Sequence, residues 1–223
     1  MATIAVQDEL LQNRDFDVAT KATIESIIAN LIGALPKPEK LTSAERRGII
    51  ARYSAVLEGN FIYWMTATLL AVHSDGAKPI ILDNLHEEVR DAHPHMMRKF
   101  AIAAHAVPTD RDALAVHEEL TNMRLFLGRL SGVQSLAAMA FFEGFIQRFM
   151  PFLAELAAAE GSTEMEYTDV HGVCDIAHTE GLFQALAIEN SVNPLSDGKD
   201  VLEGVYLLRA VIERIVSGRP EAA

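Results

Sequence analysis

The residues with the clearest chemical potential lie in YTDVHGVCDIAHTEGLFQAL, residues 167–186. There His171, Asp175 and His178 stand at i, i+4 and i+7. At about 100° per residue, a helix brings three such side chains within roughly 60° of one another. Neutral imidazole and carboxylate are the usual ligands of borderline divalent metals. With Val173, Ile176, Ala177 and Leu182 around them, the three residues read as half of a metal site. The competing reading of this segment alone is a hydrogen-bonded His–Asp–His network on a helix surface.

Charges inside apolar stretches are the next signal, because an unpaired buried carboxylate must take up a proton or find a cation. AVLEGNFIYWMTATLLAV, residues 55–72, is uncharged apart from Glu58, and Glu143 is the only acid between Gly132 and Leu153. Either glutamate alone could face solvent or meet an arginine such as Arg148. NLHEEVRDAHPHMMRKF, residues 84–100, offers Glu88 and His95, seven apart and so two turns of an ideal helix. Pro94 interrupts a straight helix between them. Glu87 and His93 therefore remain alternatives, and a hydrated helix–helix corner also fits this stretch.

Together Glu58, Glu88, Glu143, Asp175, His95, His171 and His178 supply four carboxylates and three imidazoles. Four negative charges balance two divalent ions. An oxygen-rich set with some nitrogen and no thiolate favours iron or manganese over zinc or copper. Helix bundles build dinuclear carboxylate centres from inward ligands on facing helices. The ferritin-like version needs two Glu-x-x-His pairs. This chain has Glu119-x-x-Asn122 and no Glu-x-x-His, which argues against that fold.

Such a set must be positioned by helices, and the apolar periodicity is helical almost throughout. Eight helices are expected: 18–35, 42–73, 80–91, 94–105, 110–130, 133–159, 168–189 and 198–216. Thr42 or Ser43 with Glu45 reads as a helix start, Pro94 belongs in a first turn, and Pro151 predicts a kink. No strand-like alternation, linker or repeat appears. The chain reads as one all-α domain over 1–223, a bundle of seven or eight helices with flexible termini at 1–16 and 218–223.

Composition narrows the partners. The net charge of −12 on 223 residues repels phosphate backbones and anionic membranes, so neither nucleic acid nor a membrane is expected. The low-charge run 59–72 is too short to span a bilayer. A single cysteine, Cys174, excludes an intramolecular disulfide and reads as a small buried residue. MATIAVQDELLQNRDFD lacks the pattern of a signal peptide, and a cytoplasmic location is expected.

The order of these motifs resembles a known family: a helix Glu, NLHEE with a nearby His, a second helix Glu, then HGVCDIAH. It is similar to the haem-oxygenase-like diiron oxidases and oxygenases, over roughly residues 53–186. The resemblance implies a haem-oxygenase-like helical bundle holding two iron ions, with O2 as co-substrate. By that resemblance Glu88, His95, Glu143, His171, Asp175 and His178 are the six core ligands, and Glu58 is an additional first-helix carboxylate. It further implies oxidation of a small molecule in bacterial specialised metabolism, by desaturation, hydroxylation, cyclisation or cleavage, with an external electron donor. The compact chain looks closest to members that modify amino acids such as isoleucine or valine, including those that form an azetidine.

Phe61, Trp64, Met65, Phe141, Phe142 and Phe145 lie near the expected ligands and could line a pocket or simply be core. An amino-acid substrate needs a cation for its carboxylate; Arg124, Arg129 and Arg148 are candidates that the sequence does not rank. A homodimer is the expected oligomer. The competing functions are a metal-free thiaminase-like or cofactor-maturing enzyme and a non-catalytic bundle that binds metal or a partner. A haem enzyme is disfavoured, because no histidine precedes His73.

Overall fold

The computed structural model describes residues 2–218, with side chains from residue 18 onward. Nine α-helices and one 3-10 turn (Pro38–Lys40) occupy the described residues, with no strand among them. The helices are α1 (Ala2–Gly33), α2 (Ser43–Ala71), α3 (Lys78–Arg90), α4 (His93–Ala103), α5 (Asp110–Ala115), α6 (His117–Leu127), α7 (Gly132–Ala159), α8 (Glu166–Val192) and α9 (Glu203–Ser217). Of the termini expected to be flexible, Met1 and residues 219–223 lie outside the described residues. Residues 2–17 are described only as the backbone of α1.

The core forms around α7, in which every residue from Val133 to Ile146 is buried. α8 runs alongside it, and α1, α2 and α9 pack on its other sides. Gly144 permits the close approach: a Cβ there would lie 3.1 Å from Ile28 Cδ1 on α1 and 3.3 Å from Thr179 Cγ2 on α8. α2 starts where expected. Thr42 Oγ1 accepts from Glu45 N at 3.3 Å and Glu45 Oε2 accepts from Thr42 N at 2.7 Å, a capping box worth about 1 kcal/mol.

One expectation changes. The helix expected over 110–130 is broken at Val116, whose backbone leaves helical geometry (φ −111°, ψ 2°) while its side chain is fully buried, giving α5 and α6. The bilayer length that the low-charge run 59–72 lacks is reached by two segments that include charged residues: Val18–Lys40 and Gly132–Ala159 are both long and apolar enough to cross a membrane. The second is 78% buried within its apolar window, as a core helix of this bundle.

The α2–α3 turn is tied down by a carboxylate far away in sequence. Glu189 on α8 accepts from Ser74 N at 2.8 Å, from His73 N at 3.1 Å and from Asn193 Nδ2 at 3.2 Å. Ser74 Oγ in turn accepts from Gly76 N and Ala77 N and so starts α3. α3 ends at Arg90, and Ala92 takes a left-handed conformation (φ 56°, ψ 41°) before α4 begins.

Candidate metal centre

The buried polar side chains of α3, α4, α7 and α8 converge. From α8, His171 and Asp175 are buried and His178 nearly so, all on the side facing α7 and α3. The opposite side is open to solvent, with Val173 72% and Ile176 53% exposed, so those two do not surround the cluster as expected. α7 brings in Glu143, and α3 brings Asn84, Glu87 and Glu88.

Each ring nitrogen has an assigned partner or none. His171 Nδ1–H donates to the Tyr167 carbonyl at 2.8 Å, which leaves Nε2 as a lone pair 3.9 Å from Glu88 Oε1. Burial lowers the His171 pKa and keeps the ring neutral. His93 Nδ1–H donates to Glu88 Oε1 at 2.7 Å. Burial pushes the His93 pKa down, but the bond to Glu88 and its charge outweigh that and raise it. His178 Nε2–H donates to Glu87 Oε2 at 2.9 Å, while Nδ1 stands 3.7 Å from Asp175 Oδ1 and 3.9 Å from Glu143 Oε2. Burial again opposes charge on His178, and the surrounding carboxylates override it, raising its pKa to about 9. Glu143 accepts from Asn84 Nδ2 at 3.0 Å; burial, reinforced by Asp175, pushes its pKa well up.

These separations fit metal ions. Distances of 3.7–3.9 Å are too long for a hydrogen bond. Two ligand atoms each about 2.1 Å from one ion lie at most about 4.2 Å apart. Glu88, His93 and His171 each offer an atom within 4.8 Å of the others, as do Cys174, Asp175 and His178. Asp175 Oδ2 and His178 Nδ1 are buried with no hydrogen-bond partner. Orphaned polar atoms are costly in a protein interior, and here they are of ligand type and adjacent. Cys174 is half-buried rather than buried, its S–H donates to Asp175 Oδ1 at 3.2 Å, and burial holds the thiol protonated.

Several expected positions move. His95 is exposed; His93, two residues earlier, meets Glu88 and His171 instead. The left-handed Ala92 breaks the register that placed Glu88 and His95 two turns apart. Within α4, residues two apart point about 200° from one another, so only one of the two histidines can face inward. Glu58 lies at the edge of the cluster and pairs with Arg98. A cavity of about 20 Å³, room for one water-sized molecule, opens between Glu58, Phe61, Glu88, His93, Glu143 and His171. Phe61 thus lines the site. Phe142 does not: it stands behind Phe61, edge-on to Trp64 at 5.2 Å. None of the three candidate arginines reaches the cavity. Arg124 donates to Asn60 Oδ1 at 2.7 and 2.9 Å, Arg129 pairs with Glu203 at 2.6 Å, and Arg148 pairs with Glu25.

Asn84 is not among the residues expected from the sequence, whereas Glu87, an alternative to Glu88 there, bonds His178. The signal for Asn84 is the NLHEE pentapeptide: Asn84 is one helical turn before Glu88 and so shares its face.

A family model described as an iron-containing redox enzyme, of haem-oxygenase-like type, matches residues 50–211. The chain belongs to that family. The match runs from α2 into α9 and takes in every candidate ligand. This iron-containing redox enzyme is therefore an oxidoreductase with the haem-oxygenase-like helical bundle that its sequence motifs imply. No curated protein and no solved structure matches the chain.

Proposed function

We propose that this redox enzyme is a non-haem diiron oxidase or oxygenase. It oxidises a small aliphatic molecule, an amino acid such as isoleucine or valine, with O2 as co-substrate and an external electron donor. Glu88, His93 and His171 are the candidate ligands of one ion, and Asp175 and His178 of the other. Glu143 faces both groups, lining the cavity with Glu88 and His171 while standing 3.9 Å from His178. Iron bound there would supply O2 activation for desaturation, hydroxylation, cyclisation or cleavage of the substrate. The observation that carries this reading is the pair of orphaned ligand atoms, Asp175 Oδ2 and His178 Nδ1, buried among further carboxylates and imidazoles.

The chain's own residues prepare the site. The Tyr167 carbonyl fixes the His171 tautomer with its Nε2 lone pair inward, and Glu87 holds His178 through Nε2 so that Nδ1 faces inward, where its proton would give way to a metal. Asn84 orients Glu143. Phe61, Ile62, Met97 and Ile146 wall the cavity and keep bulk water out. A metal-free enzyme of the same fold would leave Asp175 Oδ2 and His178 Nδ1 without partners. A single cysteine with no disulfide partner suits a reducing compartment such as the cytoplasm.

Anaerobic iron(II) titration tests this. Two irons per chain are expected, falling to one or none in His171→Ala and His178→Ala, with O2 consumption lost in both. Undiminished iron uptake and turnover in those variants would overturn the assignment.

A further inference from the structure

A second space adjoins the small cavity. A groove of about 330 Å³ lies outside it, lined by Ile62, Val89, Ala92, Pro94, His95 and Arg98. Ile62, Glu88 and Pro94 border both spaces, so a molecule in the groove lies against Glu88. The two are also joined by one ion pair: Glu58 lines the inner cavity, Arg98 lines the groove, and they bond to each other.

We propose that Arg98 and Glu58 form the head-group clamp for a zwitterionic α-amino acid. The Arg98 guanidinium takes the carboxylate, Glu58 takes the ammonium, and the side chain lies along Ile62, Val89 and Pro94 toward Glu88. This rests on the diiron reading of the same site.

Three observations support it. First, the groove is the size of small-ligand sites, and its walls are apolar apart from His95, Arg98 and the edge of Glu88. Second, the pair is exchangeable: the Arg98 side chain is 62% exposed and that of Glu58 31%. Ion pairs this exposed contribute about 0–1 kcal/mol, so opening one to receive a ligand costs little. Third, the charges match. A zwitterion carries one charge of each sign, as the pair does, so the exchange leaves no charge over. A fatty carboxylate would take Arg98 and leave Glu58 unpaired beside Glu88 and Glu143, two further acids of the same cavity. Guanidinium forks also match carboxylates in a bidentate way that an ammonium cannot.

The test is calorimetric titration under anaerobic conditions, of the protein with and without iron(II). The probes are L-isoleucine, 3-methylpentanoate (no ammonium) and 2-methylbutylamine (no carboxylate). Wild type is expected to bind L-isoleucine more tightly than either fragment. Arg98→Gln and Glu58→Gln should each weaken L-isoleucine at least tenfold, and Arg98→Lys should recover part of that loss. Glu58→Gln should bind 3-methylpentanoate at least as well as wild type does, because the unpaired acid is gone. Iron content should stay at the wild-type value in all three variants. Equal affinity for L-isoleucine in wild type and Arg98→Gln overturns the clamp. So does a loss of iron in Glu58→Gln with L-isoleucine affinity unchanged, which would make Glu58 a ligand. Failure of wild type to bind iron overturns the diiron reading instead, and the metal-free titrations separate the two outcomes.

Discussion

Helix α8 carries two buried acids a little under four turns apart, Asp175 at 1% exposure and Glu189 at none. Their surroundings differ completely. Glu189 is saturated: two backbone N–H groups and the Asn193 amide converge on it. Asp175 accepts from a thiol on one oxygen, and its other oxygen is buried with no hydrogen-bond partner. Burial alone therefore does not mark a functional acid. A saturated buried carboxylate is part of the frame, and an unsaturated one beside other unsaturated groups of ligand type marks a place for a cation.

Substitutions can break this contrast. The largest expected effect is on the frame. Glu189→Ala removes the acceptor of the buried Ser74 N–H and of the part-buried His73 N–H and should cost about 3 kcal/mol in chemical denaturation. It should also displace α3, which begins at that turn. Next is Gly132→Ala. A Cβ there would meet Glu189 Oε1 at 2.7 Å and the Ala71 carbonyl at 3.0 Å, so a loss of about 2 kcal/mol is expected in the same assay. Asn84→Ala works at the site: Glu143 loses the amide that orients it, and iron(II) should bind about tenfold more weakly with little change in melting temperature. The smallest effect on stability belongs to Asp175→Asn. Removing an unsaturated buried charge should leave the metal-free protein within about 1 kcal/mol of wild type, whereas iron uptake should fall.

Much of the frame is legible in the sequence because helix starts and apolar periodicity are local properties. Thr42 and Glu45 are three residues apart, and the capping box follows. The α8 half of the site is legible for the same reason: a regular helix runs unbroken from Glu166 to Val192, so the spacing of His171, Asp175 and His178 translates directly into a shared side. The other half is not. It depends on one left-handed residue, Ala92, which turns His93 inward and His95 outward, and nothing in the composition of EEVRDAHPH marks that residue. Glu189 is invisible for another reason, since two of its three partners are backbone groups more than a hundred residues away. The arginines stay away from the cavity because each is held by a partner distant in sequence, Asn60, Glu203 or Glu25.

Metal completes the unsaturated groups around Asp175 and His178 in the proposed centre. The most direct measurement is the melting temperature of wild type and of Asp175→Asn, each metal-free and with excess iron(II) under argon. An ion that binds only the folded chain raises its stability by mass action, about 2.7 kcal/mol at a hundred times its dissociation constant. The account predicts a rise of several degrees in wild type and a much smaller one in Asp175→Asn, from metal-free values that nearly coincide. Equal rises in the two proteins, or none in wild type, would contradict it.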